Sequence, residues 1–361
     1  MAWEIVLNVF LLAVGFVLLV KGADWLVDGA AGIAAKLKVS SLVIGLTVVA
    51  FGTSAPEMAV SITSAIGGDA GTSIGNVIGS NIMNILLILG ISSLIVNIPV
   101  GKTSRFIEIP FLIATTALFI VLGVLGVSFT WWEGLIIFAL YVIFMAYTII
   151  MALREKKALL ETATATSVVE EAPQEEVQVL TGIKGALQKI NAKYEELKNK
   201  VWFLTVLTVV GLALVVWGGT IVVEAATFIA EEALGIDTII VGLTVVAFGT
   251  SLPELVTSVS AAKKGDMGIA TGNIIGSNIA NLLLIAGLSF TFAGNTPLPN
   301  GGNTWAFVID CGVSILAALI LWLFSMGKTK SLGKVAGVSM IAILIAYYVY
   351  LFLSAYGVIV I

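Results

Sequence analysis

Apolar residues dominate this chain in ten long stretches separated by short polar segments. Each stretch approaches the roughly 20 apolar residues that an α-helix needs to cross a bilayer. The stretches lie at 5–30, 42–66, 74–95, 107–127 and 130–152, and then at 203–230, 239–262, 269–293, 305–326 and 335–356. The pattern predicts an all-α integral membrane protein with ten transmembrane helices in two sets of five.

Between the two sets lies a polar segment, residues 154–200, rich in Lys and Glu with a Ser/Thr/Pro/Glu stretch at 162–178. Such a segment buries too little apolar surface to fold alone or to enter lipid. The predicted organisation is therefore a first five-helix half (1–153), a linker (154–200) and a second five-helix half (201–361). Apolar residues recur at helical spacing late in the linker, at Ile183, Leu187, Ile190, Tyr194 and Leu197. They predict either an amphipathic helix on the membrane surface or a solvated helix.

Composition supports the membrane assignment and excludes several chemistries. Of 361 residues, 59% are hydrophobic and only 11% are charged, and the mean hydropathy is +1.10. This is too little polar surface for a water-soluble globule. The chain has no histidine, which excludes His-based acid–base catalysis and His-ligated zinc or iron. The single cysteine, Cys311, lies in an apolar stretch and is assigned to packing.

The N-terminal segment is interpreted as a retained first helix. It has no basic region before its apolar run, which leads into Lys21 and Asp24 rather than into a cleavage site. We interpret Asp24 as an interfacial residue or as a local partner of Lys21.

Basic residues fall almost entirely in alternate loops, at 36–41, 97–106, 154–200, 263–268 and 327–334. These loops hold 17 of the 18 Lys and Arg residues, and the loops between them hold none. Because cytoplasmic loops are enriched in Lys and Arg, these loops, including the linker, are predicted to be cytoplasmic and both termini outside. Since five is odd, the two halves then cross the membrane with opposite polarity, as inverted repeats.

An internal duplication supports this arrangement. The run Gly-Leu-Thr-Val-Val-Ala-Phe-Gly-Thr-Ser-x-Pro-Glu occurs at 45–57 and again at 242–254, and 25 of 42 positions are identical between 43–84 and 240–281. In each copy glycine and proline, Gly52 with Pro56 or Gly249 with Pro253, weaken the helix. We expect the backbone carbonyl of Gly52 or of a near neighbour to lose its helical hydrogen-bond partner and to face the bundle. Freed backbone at membrane depth is tolerated where it lines a polar site.

Each copy also places polar residues on one helix face. Ser54, Glu57 and Ser61 form one stripe, Asn76, Ser80 and Asn84 form another, and the second copy repeats both. Carboxylate, amide and hydroxyl oxygens without sulfur or imidazole favour hard cations such as Na⁺ and Ca²⁺. A carboxylate at membrane depth indicates a functional site, and the two glutamates, Glu57 and Glu254, can neutralise one Ca²⁺.

Structural roles explain other repeated residues. Gly75-x-x-x-Gly79 and Gly272-x-x-x-Gly276 are typical of close helix packing. Asn81 and Asn278 lie off the stripes and are expected to form hydrogen bonds between helices. The competing interpretation of the two glutamates is that they are protonated packing groups.

The paired Gly-Thr-Ser-x-Pro-Glu and Gly-Asn-x-x-Gly-Ser-Asn-x-x-Asn blocks resemble the two alpha-repeats of the sodium/calcium exchanger family, within the cation/Ca²⁺ antiporter superfamily. The resemblance implies ten helices in two inverted repeats with broken core helices, and Ca²⁺ and Na⁺ as transported ions. It implies side-chain ligands from Ser54, Glu57, Ser80, Asn84, Ser251, Glu254, Ser277 and Asn281. It also implies backbone carbonyl ligands from Ala50, Thr53, Ala247 and Thr250.

The resemblance also bears on the coupling ion. Some archaeal exchangers and the potassium-dependent branch carry Asp at the position of Asn281, so its absence argues against K⁺ cotransport. Proton/calcium exchangers of the superfamily tend to have Gly-Asn-x-x-Glu in place of Thr-Ser-x-Pro-Glu, which disfavours H⁺. The linker is too short for the calcium-sensing domains of animal relatives.

The sequence thus predicts a Na⁺/Ca²⁺ antiporter of the cell membrane that works by alternating access, extrudes Ca²⁺ electrogenically and is not an enzyme. The alternatives are H⁺- or K⁺-coupled Ca²⁺ antiport and, less favoured, a cation channel. An intramembrane aspartyl protease would need paired aspartates, whereas this chain offers Glu beside Pro. No cofactor and no nucleic-acid partner are expected. The oligomeric state is left open, and a monomer is compatible with this organisation.

Overall fold

The computed structural model describes residues 2–165, 196–234, 247–298 and 304–355, and these ranges are almost entirely helical. The helices before the linker are α1 (Ala2–Leu37), α2 (Ser41–Thr53), α3 (Ala55–Ile66), α4 (Ala70–Ile95), α5 (Ser104–Gly126) and α6 (Trp131–Ala165). Those after it are α7 (Val201–Phe228, continued by a π-helical turn at Ile229–Ala233), α8 (Ala247–Thr250), α9 (Leu252–Lys263), α10 (Met267–Ala293), α11 (Thr304–Met326) and α12 (Lys334–Ala355).

The predicted all-α membrane class is confirmed. Within the described ranges, eight helices are long and apolar enough to cross a membrane, and the bent pair α2–α3 makes a ninth span. Part of the predicted span at 239–262 and nearly all of the predicted linker helix, including Ile183, Leu187, Ile190 and Tyr194, lie outside the described residues. The ten-helix inverted repeat and the division at 153 and 200 therefore stay predictions.

Two short antiparallel sheets close the ends of the bundle. Strand β1 (Ile98–Pro99) pairs with β4 (Ser331–Leu332), and β2 (Ser128–Phe129) pairs with β3 (Thr296–Pro297). Helix α5 separates β1 from β2 by 23 residues, about 35 Å of helix, so the two sheets lie at opposite ends. The equivalent strands of the two halves, β1 and β3, are in different sheets. This agrees with halves that run in opposite directions.

Helices α1 and α7 pack against each other through glycines. A Cβ on Gly22 would lie 2.8 Å from both the Gly211 carbonyl oxygen and the Val215 nitrogen. A Cβ on Gly15 would likewise lie 3.0 Å from the Gly218 carbonyl oxygen. The missing side chains let the two backbones touch, and small residues allow the same close approach in other membrane helix pairs.

Close packing is also confirmed for the glycine pair of α10. A Cβ on Gly272 would lie 2.7 Å from the carbonyl oxygen of Leu42, and one on Gly276 would lie 2.8 Å from Cα of Leu46. Helix α10 therefore rests directly on α2. The same prediction is wrong for Gly75 and Gly79, where no described atom lies within 4 Å of an added Cβ. They line a cavity instead.

The suggested local pair of Asp24 with Lys21 is also wrong. The Asp24 carboxylate accepts a 2.7 Å hydrogen bond from Ser260, and Lys264 Nζ donates at 2.7 Å to the Asp24 carbonyl oxygen and to Asp28 Oδ1. The partners come from α9 and the residue after it, 236 positions or more along the chain. These bonds connect the half of α1 that is predicted to lie nearer the cytoplasm to helix α9 of the second repeat.

The glycine contact predicts that Gly22→Ala destabilises the protein. The added methyl group meets backbone atoms that cannot rotate away, and overpacking of this kind costs about 1–3 kcal/mol. We expect the thermal midpoint in detergent to fall by several degrees, as measured by the loss of monodisperse protein on heating. Gly312→Ala is the matched control because no described atom lies within 4 Å of its new Cβ. An equal midpoint in the two variants would contradict the close contact.

Candidate cation-binding site

The core helices break where the first repeated motif ends. Helix α2 stops at Thr53, Ser54 takes a turn-like conformation (φ −82°, ψ 11°), and α3 continues at an angle of 51° with Pro56 in its first turn. Ser251 lies at the same kind of break (φ −88°, ψ 2°) between α8 and α9. Proline is favourable in a first turn because no helical partner is needed there for its missing N–H.

The predicted free carbonyl is not that of Gly52. Backbone N–H groups at the end of α2 donate to the carbonyls of Ala50 and Gly52. The turn at Ser54 brings these donors back onto the preceding residues, so proline does not leave the Gly52 carbonyl without a partner.

The structure buries most of the predicted ligands and brings the two glutamates close to each other. The side chains of Glu57 and Glu254 are each 1% exposed and interact electrostatically with each other. Eight other predicted ligands are buried as well: Ala50, Thr53, Ser54, Ser80, Asn84, Ser251, Ser277 and Asn281. Thr250 is partly buried, and Ala247 begins the short helix α8.

Hydrogen bonds to Glu254 join the two halves of the chain. Its Oε1 accepts from the hydroxyl of Ser54 at 2.9 Å and from the hydroxyl of Ser277 at 3.4 Å. Ser54 belongs to the first repeat and Ser277 to the second. The carboxylate therefore lies where the two repeats meet.

Several oxygens of this cluster are buried without a hydrogen-bond partner. They are Glu57 Oε2, Glu254 Oε2, Asn84 Oδ1, Asn281 Oδ1 and Ser251 Oγ. A buried polar atom without a partner typically costs about 1–3 kcal/mol, and more when it is charged. A cation coordinated by these oxygens would remove that penalty.

Four asparagines hold the second polar stripe in place. The Nδ2 of Asn81 donates to the Asn278 carbonyl oxygen at 3.1 Å, and Asn278 returns the bond to the Asn81 carbonyl oxygen at 3.3 Å. The predicted bonding of Asn81 and Asn278 between helices is confirmed. Their side-chain oxygens also accept from the ligand residues, Asn84 at 3.0 Å and Asn281 at 3.2 Å. With their Nδ2 groups held in this way, Asn84 and Asn281 keep Oδ1 available for a cation.

A second set of bonds braces the helices that carry the glutamates. Asn76 Nδ2 donates to Ser61 Oγ at 2.8 Å and to the Glu57 carbonyl oxygen at 3.2 Å. Asn273 makes the same bonds to Ser258 and Glu254 at 3.0 and 3.4 Å. Asn76 and Ser61 are thus bonded to each other rather than directed at an ion, and the same holds for Asn273 and Ser258.

Sequence reasoning missed two π-helical segments at the ligand asparagines. One covers Asn84–Leu89 and begins at Asn84, and the other covers Ala280–Ile285 and contains Asn281. A π-turn widens the helix locally and is frequent at functional sites. Neither Gly nor Pro lies within these segments, so the sequence gives no local signal for them.

The site offers two carboxylates surrounded by neutral oxygens. Among the described residues there is no group of three or more His, Cys, Asp or Glu that could hold a metal, which fits a site built largely from amide and hydroxyl oxygens. This ligand set suits Na⁺ and Ca²⁺ better than transition metals. Mg²⁺ keeps its water shell more firmly and demands a stricter octahedron.

Comparison with known proteins agrees with this chemistry. Residues 7–150 and 203–355 match the family described as Sodium/calcium exchanger protein. The putative antiporter CaxA of Alkalimonas amylolytica is 35% identical over 97% of this chain and 100% of its own length. The sodium/calcium exchanger MaX1 of Methanosarcina acetivorans is 34% identical over 96% of this chain and 99% of its own length.

Solved structures agree as well. A structure of the sodium-calcium exchanger NCX_Mj soaked with Na⁺ and Sr²⁺ is 31% identical and superposes with a TM-score of 0.74, covering 96% of this chain and 99% of that protein. The chain therefore belongs to the sodium/calcium exchanger family of membrane transporters, which are not enzymes, and is a cation/Ca²⁺ antiporter.

Proposed function

We propose that this chain exchanges Na⁺ for Ca²⁺ across the membrane by alternating access. The observation that carries the proposal is the group of buried oxygens without hydrogen-bond partners on Glu57, Glu254, Asn84, Asn281 and Ser251. These atoms come from both repeats, and the proposed cation lies between them. A cation bound there satisfies all of them at once.

The proposed ligand set combines side chains with backbone carbonyls. The side chains are those of Ser54, Glu57, Ser80, Asn84, Ser251, Glu254, Ser277 and Asn281. The carbonyls are those of Ala50, Thr53, Ala247 and Thr250. Ca²⁺ takes six to eight oxygen ligands in flexible geometry, and a mixed set of this size can serve one Ca²⁺ or several Na⁺. Both ions are substrates rather than cofactors.

Charge compensation couples the two ion fluxes. With both glutamates ionised the site carries two negative charges, because its other ligands are neutral. Moving bare charge through a closed state surrounded by lipid and apolar side chains is strongly unfavourable. The protein therefore changes its open side only when Ca²⁺ or Na⁺ fills the site. Helices α1 and α7, which touch through glycine rather than interlocking side chains, are the proposed moving pair.

Na⁺ is the proposed coupling ion because residue 281 is an asparagine, whose amide side chain does not titrate. Asn84, the equivalent residue of the first repeat, does not titrate either. The name of the relative MaX1, sodium/calcium exchanger, supports the same choice. If more than two Na⁺ replace one Ca²⁺ at two carboxylates, each cycle moves net positive charge. An inward Na⁺ gradient then drives Ca²⁺ out of the cell.

The proposed location is the cell membrane, with both termini outside and the 154–200 linker in the cytoplasm. The sheets support this topology, since β1 and β4 belong to loops predicted to be cytoplasmic and β2 and β3 to loops predicted to be external. Because the ligands come from the two halves of one chain, a monomer in the bilayer holds a whole site.

Glu57→Gln and Glu254→Gln are each expected to abolish exchange. Removing one charge leaves a divalent ion under-compensated, and breaking a buried charge pair costs about 3 kcal/mol or more, which is at least a roughly 100-fold loss. The measurement is Na⁺-dependent ⁴⁵Ca²⁺ uptake into proteoliposomes. The matched control is Glu224→Gln, at an exposed glutamate of α7, which keeps its activity. Normal turnover in Glu57→Gln or Glu254→Gln would place the ion site elsewhere.

The coupling ion is tested with the same vesicles. ⁴⁵Ca²⁺ uptake into Na⁺-loaded proteoliposomes is expected to exceed uptake into vesicles loaded with K⁺ or given only a pH gradient. Valinomycin-clamped potentials should change the rate, because a net charge moved across the membrane contributes about 2.3 kcal/mol per 100 mV. Uptake driven by a proton gradient and indifferent to Na⁺ would contradict Na⁺ coupling. A rate independent of voltage would contradict electrogenic exchange.

Single cysteines test the orientation in a Cys311→Ala background. Asn295→Cys lies in an exposed loop predicted to be external, and Lys328→Cys lies in one predicted to be cytoplasmic. A membrane-impermeant maleimide added to intact cells is expected to label the first and not the second. The opposite labelling pattern would reverse the proposed topology.

A further inference from the structure

A cavity of about 460 Å³ opens beside the central site, on the side of the bundle that carries β2 and β3. Helices α3, α4, α8, α11 and α12 contribute to its wall. Its polar lining consists of Thr72, Asn76, Thr250, Asp310, Tyr347 and Tyr348. The proposed topology places this cavity on the external side.

Asp310 is the only acidic residue in the described lining of the cavity. Its Oδ1 accepts a 3.0 Å hydrogen bond from the hydroxyl of Tyr347. No ion pair to Asp310 occurs among the described residues, and the predicted external loops contain no Lys or Arg. An acid inside a membrane helix is expected to be neutralised by a partner. Here the partner must come from the cavity, as a cation or a proton.

The inner end of the cavity reaches residues that belong to the central site. Asn76, in its wall, donates to the Glu57 carbonyl oxygen at 3.2 Å. Thr250, also in its wall, is one of the proposed carbonyl ligands. Met83 lies next to the ligand Asn84 and accepts from the Tyr348 hydroxyl at 3.3 Å. The cavity that Asp310 lines therefore extends to residues that contact or belong to the proposed central site.

The first half of the chain carries a similar acid near the other membrane face. Asp310 is the seventh residue of α11, and Glu108 is the fifth residue of the equivalent helix α5. Glu108 interacts electrostatically with Tyr147 of α6, as Asp310 bonds Tyr347 of α12. The side chain of Glu108 is 3% exposed and its Oε2 has no hydrogen-bond partner. One acid with a neighbouring tyrosine thus occurs on each side, and the Asp310 pair lines the cavity described here.

A second acidic residue, Asp69, is bonded to Thr72 in the wall of this cavity. Asp69 precedes α4, and its carboxylate accepts from the backbone N–H of Thr72 at 3.0 Å. The hydroxyl and the backbone N–H of Thr72 hold the pKa of Asp69 below its usual value. Asp69 is therefore ionised at neutral pH, and negative charge near a cleft raises the local concentration of cations.

We infer that Asp310 is an outer access site: it binds a hydrated hard cation in this cavity and passes it to the central site. The site is distinct from the twelve central ligands and rests on the proposed antiport function. Tyr347 holds one carboxylate oxygen, which fixes the side chain toward the cavity. A cation that binds transiently at Asp310 raises the rate at which external ions are captured. It does not limit the maximal rate of the transporter once the central site is occupied.

The experiment measures external Ca²⁺ dependence in right-side-out membrane vesicles loaded with Na⁺. Asp310→Asn is expected to raise the KM for external Ca²⁺ by about threefold to tenfold, a modest loss of electrostatic focusing, while the maximal rate is nearly unchanged. Asp310→Glu restores a KM near that of the wild type. In everted vesicles, where the cytoplasmic face is outward, Asp310→Asn leaves the KM for Ca²⁺ unchanged.

Two variants separate ion capture from a packing role. Tyr347→Phe removes the hydrogen bond to Asp310 but keeps the charge of the carboxylate, so its KM is expected to stay within about twofold of the wild type because the electrostatic attraction for the cation is retained. Glu108→Gln makes the equivalent change on the other face and should leave the external KM unaltered. If Tyr347→Phe or Glu108→Gln reproduces the KM of Asp310→Asn, or if Asp310→Asn changes only the maximal rate, the access role is wrong. Wild-type vesicles without Na⁺-driven uptake would instead contradict the antiport proposal itself.

Discussion

The rest of this structure depends on keeping two carboxylates inside a membrane, with no ion pair to a basic side chain among the described residues. Glu57 and Glu254 are almost fully buried and interact with each other. Two like charges at such a depth are tolerated only if protons or cations neutralise them. The duplication satisfies this constraint by placing one acid in each half of the chain. The proposed function satisfies the same constraint by placing a cation between the two carboxylates.

The neutral groups around the carboxylates have two different tasks. Asn84, Asn281 and Ser251 keep oxygens free of hydrogen bonds, whereas Asn81 and Asn278 use their polar atoms on each other and on those ligands. The proposed cation site needs oxygen ligands that are held in place while their own hydrogen-bonding capacity stays unused. The asparagine group achieves this because an amide can donate with its nitrogen while its oxygen stays available.

The two halves are alike in sequence but differ in their surroundings. Gly272 and Gly276 lie against the backbone of α2, whereas the equivalent Gly75 and Gly79 line the cavity that contains Asp310. The proposed alternating-access mechanism requires this kind of asymmetry, since one side must be closed by packing while the other admits ions. The close glycine contact of α1 with α7 is compatible with such a movement. Helices whose contact lacks interdigitated side chains can slide past each other without repacking.

The sequence by itself determined the membrane class, the spans that fall within the described residues, the duplication and the polar stripes, because hydrophobic length, charge bias and repeat spacing act locally along the chain. It also indicated Glu57 and Glu254, since an acidic residue within an apolar stretch can be recognised from the sequence alone. Only the tertiary structure decided which polar atoms stay unpaired, that Gly52 keeps its carbonyl bonded, that Asp24 meets Ser260 and Lys264, and that Asp310 lines a cavity. These features depend on contacts between residues far apart in the chain. No local pattern specifies such contacts, because they arise when the helices pack.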